Sequence, residues 1–173
     1  MKETGVVRRL DELGRVVIPK EIRKRLKINN GDMVDIFVSN DKIVLQKYNP
    51  FSSDLLPISA MITAVKNVYE CDITIFDKSK IICSTIQELK NDSFIDDSFV
   101  KRIEGSLEKE LSSNLKLNII DSYVFDNDIY VESLFINYEF YGYILISSEI
   151  ITKKDKEAIY IVKKYFDNFY QNQ

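Results

Sequence analysis

Five of the six arginines lie before residue 26, at Arg8, Arg9, Arg15, Arg23 and Arg25, with Lys20 and Lys24 among them. Only Arg102 lies beyond. Lysine and arginine neutralise phosphates and release counterions, and the planar arginine fork can also grip guanine O6 and N7. Residues 1–50 carry eleven Lys and Arg against seven Asp and Glu, whereas the remainder carries thirteen against twenty. A basic head on an acidic body is the pattern of a chain that meets a polyanion with one part only. A solvated charged face on a small β module is the blander reading of the same residues.

Other chemistries are poorly provided for. The chain has no histidine, which removes Ser-His-Asp and Cys-His nucleophile systems. Its five glycines, Gly5, Gly14, Gly31, Gly105 and Gly142, form neither a P-loop nor a dinucleotide fingerprint. Cys71 and Cys83 are too few for a zinc set or a disulfide framework. They are expected on neighbouring strands, as buried hydrophobes in preference to a redox switch. Asp96-Asp97 and Asp126 with Asp128 sit in polar stretches and read as solvated loops before any metal or acid/base pair. No enzyme activity, cofactor or metal is therefore expected. The aromatics Tyr123, Phe125, Tyr130, Phe135, Tyr138, Phe140, Tyr141 and Tyr143 could line a small-molecule pocket, and they serve equally as core and interface residues.

The basic residues need elements to hold them. β-Branched runs predict strands at Gly5–Leu10 and Arg15–Ile18, joined by a turn at Asp11-Glu12-Leu13-Gly14. Pro19 stops the second strand and suits the first turn of a short helix over residues 20–26. Ile22 and Leu26 share one face of it, while Arg23, Lys24 and Arg25 project elsewhere. Asn29-Asn30-Gly31-Asp32 is a turn, followed by strands at 33–38 and 43–47 around a Ser39-Asn40-Asp41 hairpin turn. The character of the chain changes near Tyr48-Asn49-Pro50, which divides it into residues 1–50 and residues 51–173. Fifty residues seldom bury enough apolar surface to stand alone. With no histidine and no cysteine in that half, oligomerisation remains, so an obligate dimer sharing its core between chains is expected.

These residues meet a family. TGVVRRLDELGRVVIPKEIRKRLKI, followed by NNGDMVDIFV and KIVLQKYNP, closely resembles the AbrB-type DNA-binding domain, with LGRVVIPKEIR as the specific signature. The resemblance is greatest to sporulation regulators of endospore formers. It implies an N-terminal swapped-hairpin β-barrel, an intertwined homodimer whose basic loops approach the major groove of double-stranded DNA. The family's DNA-contacting positions fall on Arg8, Arg15 and Arg23, which match in type. Lys24 stands where arginine is usual; it keeps the charge and loses the planar fork. Arg9 and Lys20 also match, and Arg25 replaces a small polar residue and could add a phosphate contact.

The second half reads as α-β-β-α-β-β-β-α. A helix is predicted across the apolar stripe Ile58, Met61, Ile62, Val65, Val68 and Tyr69, with Pro57 at its start. Strands follow at 72–76 and 81–84, a helix at about 97–112, and strands near 117–120, 130–136 and 141–146. Thr152 with Asp155 marks the start of a last helix bearing Ala158, Ile159, Val162, Tyr165, Phe166 and Phe169. The order is similar to the GAF-like α+β domain that accompanies such heads. By the same resemblance, the two apolar helices would join dimers into a homotetramer, and the domain would sense a small-molecule effector or support oligomerisation. No apolar run approaches a membrane span and no signal peptide is evident, so a cytoplasmic, nucleoid-associated regulator of sporulation genes is the expectation. An antitoxin of the same fold, binding a toxin and its own operator, is the alternative; its tail would ordinarily be short and disordered.

Overall fold

The computed structural model describes residues 5–48, 51, 54–106, 109–136 and 138–170. Two residues at the predicted boundary, Asn49 and Pro50, lie outside them. The chain forms two compact units, Met1–Pro50 and Phe51–Gln173.

In the first unit, helix α1 (Lys20–Arg25) begins at Pro19, whose carbonyl accepts the Arg23 amide at 3.0 Å. It ends by the geometry of a Schellman motif. Lys27 takes φ 51° and bonds back to the Lys24 carbonyl, while the Ile28 amide reaches the Arg23 carbonyl at 2.8 Å. Strands β1 (Val34–Ser39) and β2 (Lys42–Lys47) form an antiparallel hairpin with Ser39 opposite Lys42. The intervening Asn40 and Asp41 both have positive φ, as a two-residue I′ turn requires.

The predicted strands at 5–10 and 15–18 are absent from the single chain, although the Asp11–Gly14 turn between them is present. An isolated hairpin is marginal unless another layer covers its apolar face, and here none does. Val7 is 90% exposed and Val17 76% exposed, and only Pro19 and Ile28 of the described residues in this unit are buried.

The second unit is built on one antiparallel sheet. Its strands are β3 (Asp72–Phe76), β4 (Ile81–Ser84), β5 (Glu110–Leu111), β8 (Asp128–Ile136) and β9 (Glu139–Ser148), in spatial order β4-β3-β9-β8-β5. A small separate pair, β6 (Asn118–Ile120) and β7 (Tyr123–Val124), completes the strands. Helices α2 (Leu55–Tyr69) and α4 (Lys153–Tyr170) share one apolar cluster with one side of the sheet. A second cluster gathers Val131, Tyr143 and Leu145 with Phe99 and Val100 of helix α3 (Asp97–Gly105). That helix is shorter than predicted, because the chain leaves it at Gly105 and returns to the sheet as β5.

Most of both predicted stripes is buried in this unit, although Val68 of the first is left exposed. Ile58, Ile62 and Val65 of α2 join Ala158, Ile159, Val162 and Phe166 of α4 in the first cluster. Thr152 and Asp155 form the predicted capping box: the Thr152 amide donates to Asp155 Oδ2 at 2.8 Å and the Asp155 amide to Thr152 Oγ1 at 3.4 Å. Between β8 and β9 the register slips, so that Leu134 faces Gly142 and Phe135 faces Phe140, leaving Tyr141 as an extra residue. Gly142 passes so near β3 that a Cβ there would lie 2.2 Å from the Phe76 carbonyl oxygen. Among the described residues no helix is long and apolar enough to cross a membrane.

Candidate nucleic-acid interface

The basic residues of the first unit are held in three different ways. Arg8 and Arg9 are exposed on the unpaired segment before the turn. Arg15 is fixed by that turn. Asp11 accepts the Leu13 amide at 3.0 Å and the Arg15 amide at 2.7 Å through Oδ1, while its Oδ2 takes Arg15 Nε at 2.7 Å. The Gly14 amide closes the turn on the Asp11 carbonyl, with Gly14 at φ 74°. The backbone amide and guanidinium of Arg15 hold the Asp11 carboxyl below its ordinary range. Most of the Arg15 side chain remains exposed, at 73%, so its outer guanidinium nitrogens are open to a ligand.

Arg23 is held more tightly than a solvated helix residue. It donates from Nη1 to Asn30 Oδ1 at 3.0 Å and ties α1 to the following loop. Its Nε is buried without a partner among the described residues. That loop is itself pinned, because Asp32 Oδ2 accepts the Asn29 amide at 2.8 Å and lies 3.5 Å from Lys47 Nζ. Lys20, Lys24 and Arg25 on α1 are exposed. Placing Arg23, Lys24 and Arg25 in the last turn also suits the negative end of the helix dipole.

Two residues that position the cations were not singled out from the sequence. Asp11 was read only as part of a turn, and Asn30 only as a turn residue. The signal for Asp11 is an aspartate three residues before a glycine, the spacing of a side chain that caps its own turn. For Asn30 there is no comparable local pattern, since its partner lies seven residues away on another element.

The remaining candidates have structural places. Asp96 caps α3 by accepting the Ser98 amide at 2.6 Å, and Asp128 accepts the Ser113 amide at 2.7 Å. Among the described residues, no group of His, Cys, Asp and Glu is placed to hold a metal ion. Cys83 pairs with Ile75 in the β3–β4 ladder, whereas Cys71 precedes β3, so the two are not cross-strand partners. Both are buried and free; burial pushes the Cys71 thiol up to about 11 and raises that of Cys83. The eight aromatics do not line one pocket. Phe125 is in the core, Tyr130 and Tyr141 pack on the α2–α4 side, and Phe135, Tyr138 and Phe140 are exposed near the β8–β9 turn.

Residues 7–53 match the family model described as antidote-toxin recognition MazE, bacterial antitoxin. Over 53 residues the chain is 60% identical to stage V sporulation protein T of Bacillus subtilis (strain 168), covering 30% of each protein. Over 50 residues it is 56% identical to the transition state regulatory protein AbrB of the same organism, covering 29% of this chain and 52% of that one. The match thus spans between about a third and a half of these curated relatives. The solution structure of the N-domain of the transcription factor abrB aligns at 56% identity over 29% of this chain and 96% of that chain, with a TM-score of 0.27. At that TM-score the sequence identity, and not the superposition, carries the likeness. The N-terminal unit of this chain, matched over residues 7–53, is a MazE/AbrB-type domain.

Proposed function

We propose that the protein is a sequence-specific, DNA-binding transcriptional regulator whose first unit grips double-stranded DNA as a homodimer. The observation that carries this reading is the 56% identity of its basic head to the transition state regulatory protein AbrB, beside 60% identity to stage V sporulation protein T. One solved relative, 56% identical over 29% of this chain, is the N-terminal DNA recognition domain of the transition-state regulator AbrB. Arg8, Arg15 and Arg23 are the leading contacts, with Arg9, Lys20 and Lys24 beside them. Exposed Arg8, Arg9, Lys20 and Lys24 suit phosphate contact, and the pre-aimed Arg15 suits a fixed register on the duplex.

Burial supports the dimer. A unit with only Pro19 and Ile28 buried among its described residues, and with Val7, Leu10, Leu13, Val17, Ile36, Val38 and Ile43 all at least two-thirds exposed, lacks a core of its own. A second copy, interleaving residues 5–10 and 15–18 with β1 and β2 as a swapped-hairpin barrel, would supply both the missing ladders and the missing core. The second unit is proposed as a GAF-like sensor or oligomerisation domain, on the strength of its antiparallel sheet flanked by helices. A homotetramer through α2 and α4 would have to use the apolar residues that those helices leave exposed, Leu56, Val68, Tyr160 and Ile161. Sporulation genes are the proposed targets, in the cytoplasm.

The family description favours a second reading, an antitoxin that binds a toxin and its own operator. A folded second unit weighs against it, because such tails are ordinarily short. Genome-wide mapping of DNA bound by the tagged protein separates the two. Many sites near sporulation promoters support the regulator; a single site beside a toxin gene supports the antitoxin.

A further inference from the structure

Arg23 differs from the other cations of α1 in what holds it. Lys20, Lys24 and Arg25 are exposed, whereas Arg23 is half-buried, with its Nε covered and its Nη1 donating to Asn30 Oδ1 at 3.0 Å. A guanidinium has five N–H donors in a planar fork. With one covered and one given to Asn30, the second hydrogen on Nη1 and the two on Nη2 remain for a ligand. The backbone beneath is fixed as well, since the Arg23 carbonyl accepts the Ile28 amide at 2.8 Å where the helix ends.

Asn30 is held in turn. The Asn29 amide donates to Asp32 Oδ2 at 2.8 Å and the Asp32 amide donates to the Asn29 carbonyl at 3.3 Å, so the loop closes on both sides of Asn30. Gly31 takes φ 88°, where a side chain would strain the turn. Lys47 Nζ, at the end of β2, lies 3.5 Å from the same Asp32 oxygen. A line of contacts therefore runs from the hairpin through the loop to the guanidinium. Its last member is a neutral amide, which fixes Arg23 without cancelling its charge. Asp11 does the opposite for Arg15, setting a carboxylate beside it.

We propose that Asn30 is a positioning residue for DNA recognition: it holds Arg23 so that the head discriminates between sequences, while the exposed cations supply affinity that ignores sequence. A free arginine swings to whichever phosphate or base acceptor is near, so every duplex satisfies it. A restrained one meets an acceptor only where the sequence puts it, and it loses less freedom on binding. The inference rests on the DNA-binding reading above and adds to it a residue that need not touch the duplex.

The test takes the full-length chain, a duplex that the unaltered chain selects from a random pool, and a scrambled duplex of the same composition. Fluorescence anisotropy at one salt concentration gives the ratio of the two affinities. Asn30→Ala should lower that ratio about fivefold, through the selected duplex alone, as expected for one side chain left to be ordered on binding. Asn30→Asp keeps an oxygen within reach of Nη1 and adds a negative charge, so it should preserve the ratio while weakening both duplexes alike. An Asn30→Ala ratio within about twofold of the original overturns the proposal, as does an equal loss on both duplexes, the mark of a merely structural role. Arginine-selective NMR of the unaltered chain needs no variant to fold: the Arg23 guanidinium should rotate more slowly than that of exposed Arg25, and equal rates overturn the proposal. A chain that binds no duplex refutes the DNA-binding reading, whereas one that discriminates equally well without the Asn30 amide refutes only this inference.

Discussion

At the scale of single residues, the head spends an acidic group to aim a basic one. Asp11 sits beside the cation expected to meet DNA, yet it takes two backbone amides and the Arg15 guanidinium. Its folded pKa is lowered by those Arg15 contacts. The turn is therefore fully anchored above the unfolded carboxylate range and loosens only as pH falls through the lowered value. In NMR titrations, the Asp11 carboxyl should report a midpoint below 3.8, with the Leu13 and Arg15 amides moving along with it. A midpoint at or above that value would mean the anchor does not persist in solution. Lys24 gives a second prediction. It is exposed on α1 and lacks the arginine fork, so a phosphate is its expected partner. Lys24→Arg should tighten binding modestly, by a few-fold at most, and equally on specific and scrambled duplexes. Tightening confined to the specific duplex would place the residue at a base edge instead.

At the scale of elements, the second unit shows where sequence periodicity is a good guide and where it fails. Strands β3 and β4 occupy the predicted ranges because each is a short β-branched run ended by turn residues. The α4 start was legible from Thr152 and Asp155, whose reciprocal bonds are local. The two helical stripes were legible as well, but not what would cover them. Val162 and Phe166 are fully buried against their own sheet, so acidic substitutions there would break the unit's core before they reported on any interface. In the head, residues 5–10 and 15–18 carry strand-like sequences that one chain does not pair, because hydrogen-bond partners cannot be read from propensity. The Arg23–Asn30 contact escaped for a similar reason, since it joins two elements. Gly142 gives the sharpest element-scale prediction. Its hydrogen approaches the Phe76 carbonyl where no Cβ fits, so Gly142→Ala must prise β9 from β3. A loss of about 3 kcal/mol in denaturant unfolding is expected, at the upper end for overpacking. A change indistinguishable from zero would show that the strands part more easily than their ladder implies.

At the scale of the whole molecule, a basic, core-poor head and an acidic, well-packed body divide the work. The head exposes the apolar residues that a second copy would cover and the cations that a duplex would attract. The body gathers most of its apolar stripes into a core of its own. The central claim is that this charge asymmetry exists to bind DNA, and its most direct measurement is affinity against salt. Fluorescence anisotropy of a labelled duplex with the full-length chain should show log affinity falling linearly with log salt, with a slope near −0.9 per phosphate neutralised and several phosphates per dimer. The combined Arg8→Ala, Arg15→Ala and Arg23→Ala variant, still folded by circular dichroism, should lose most of that affinity and flatten the slope. Binding that ignores salt, or a triple variant that binds as well as the unaltered chain, would contradict the account.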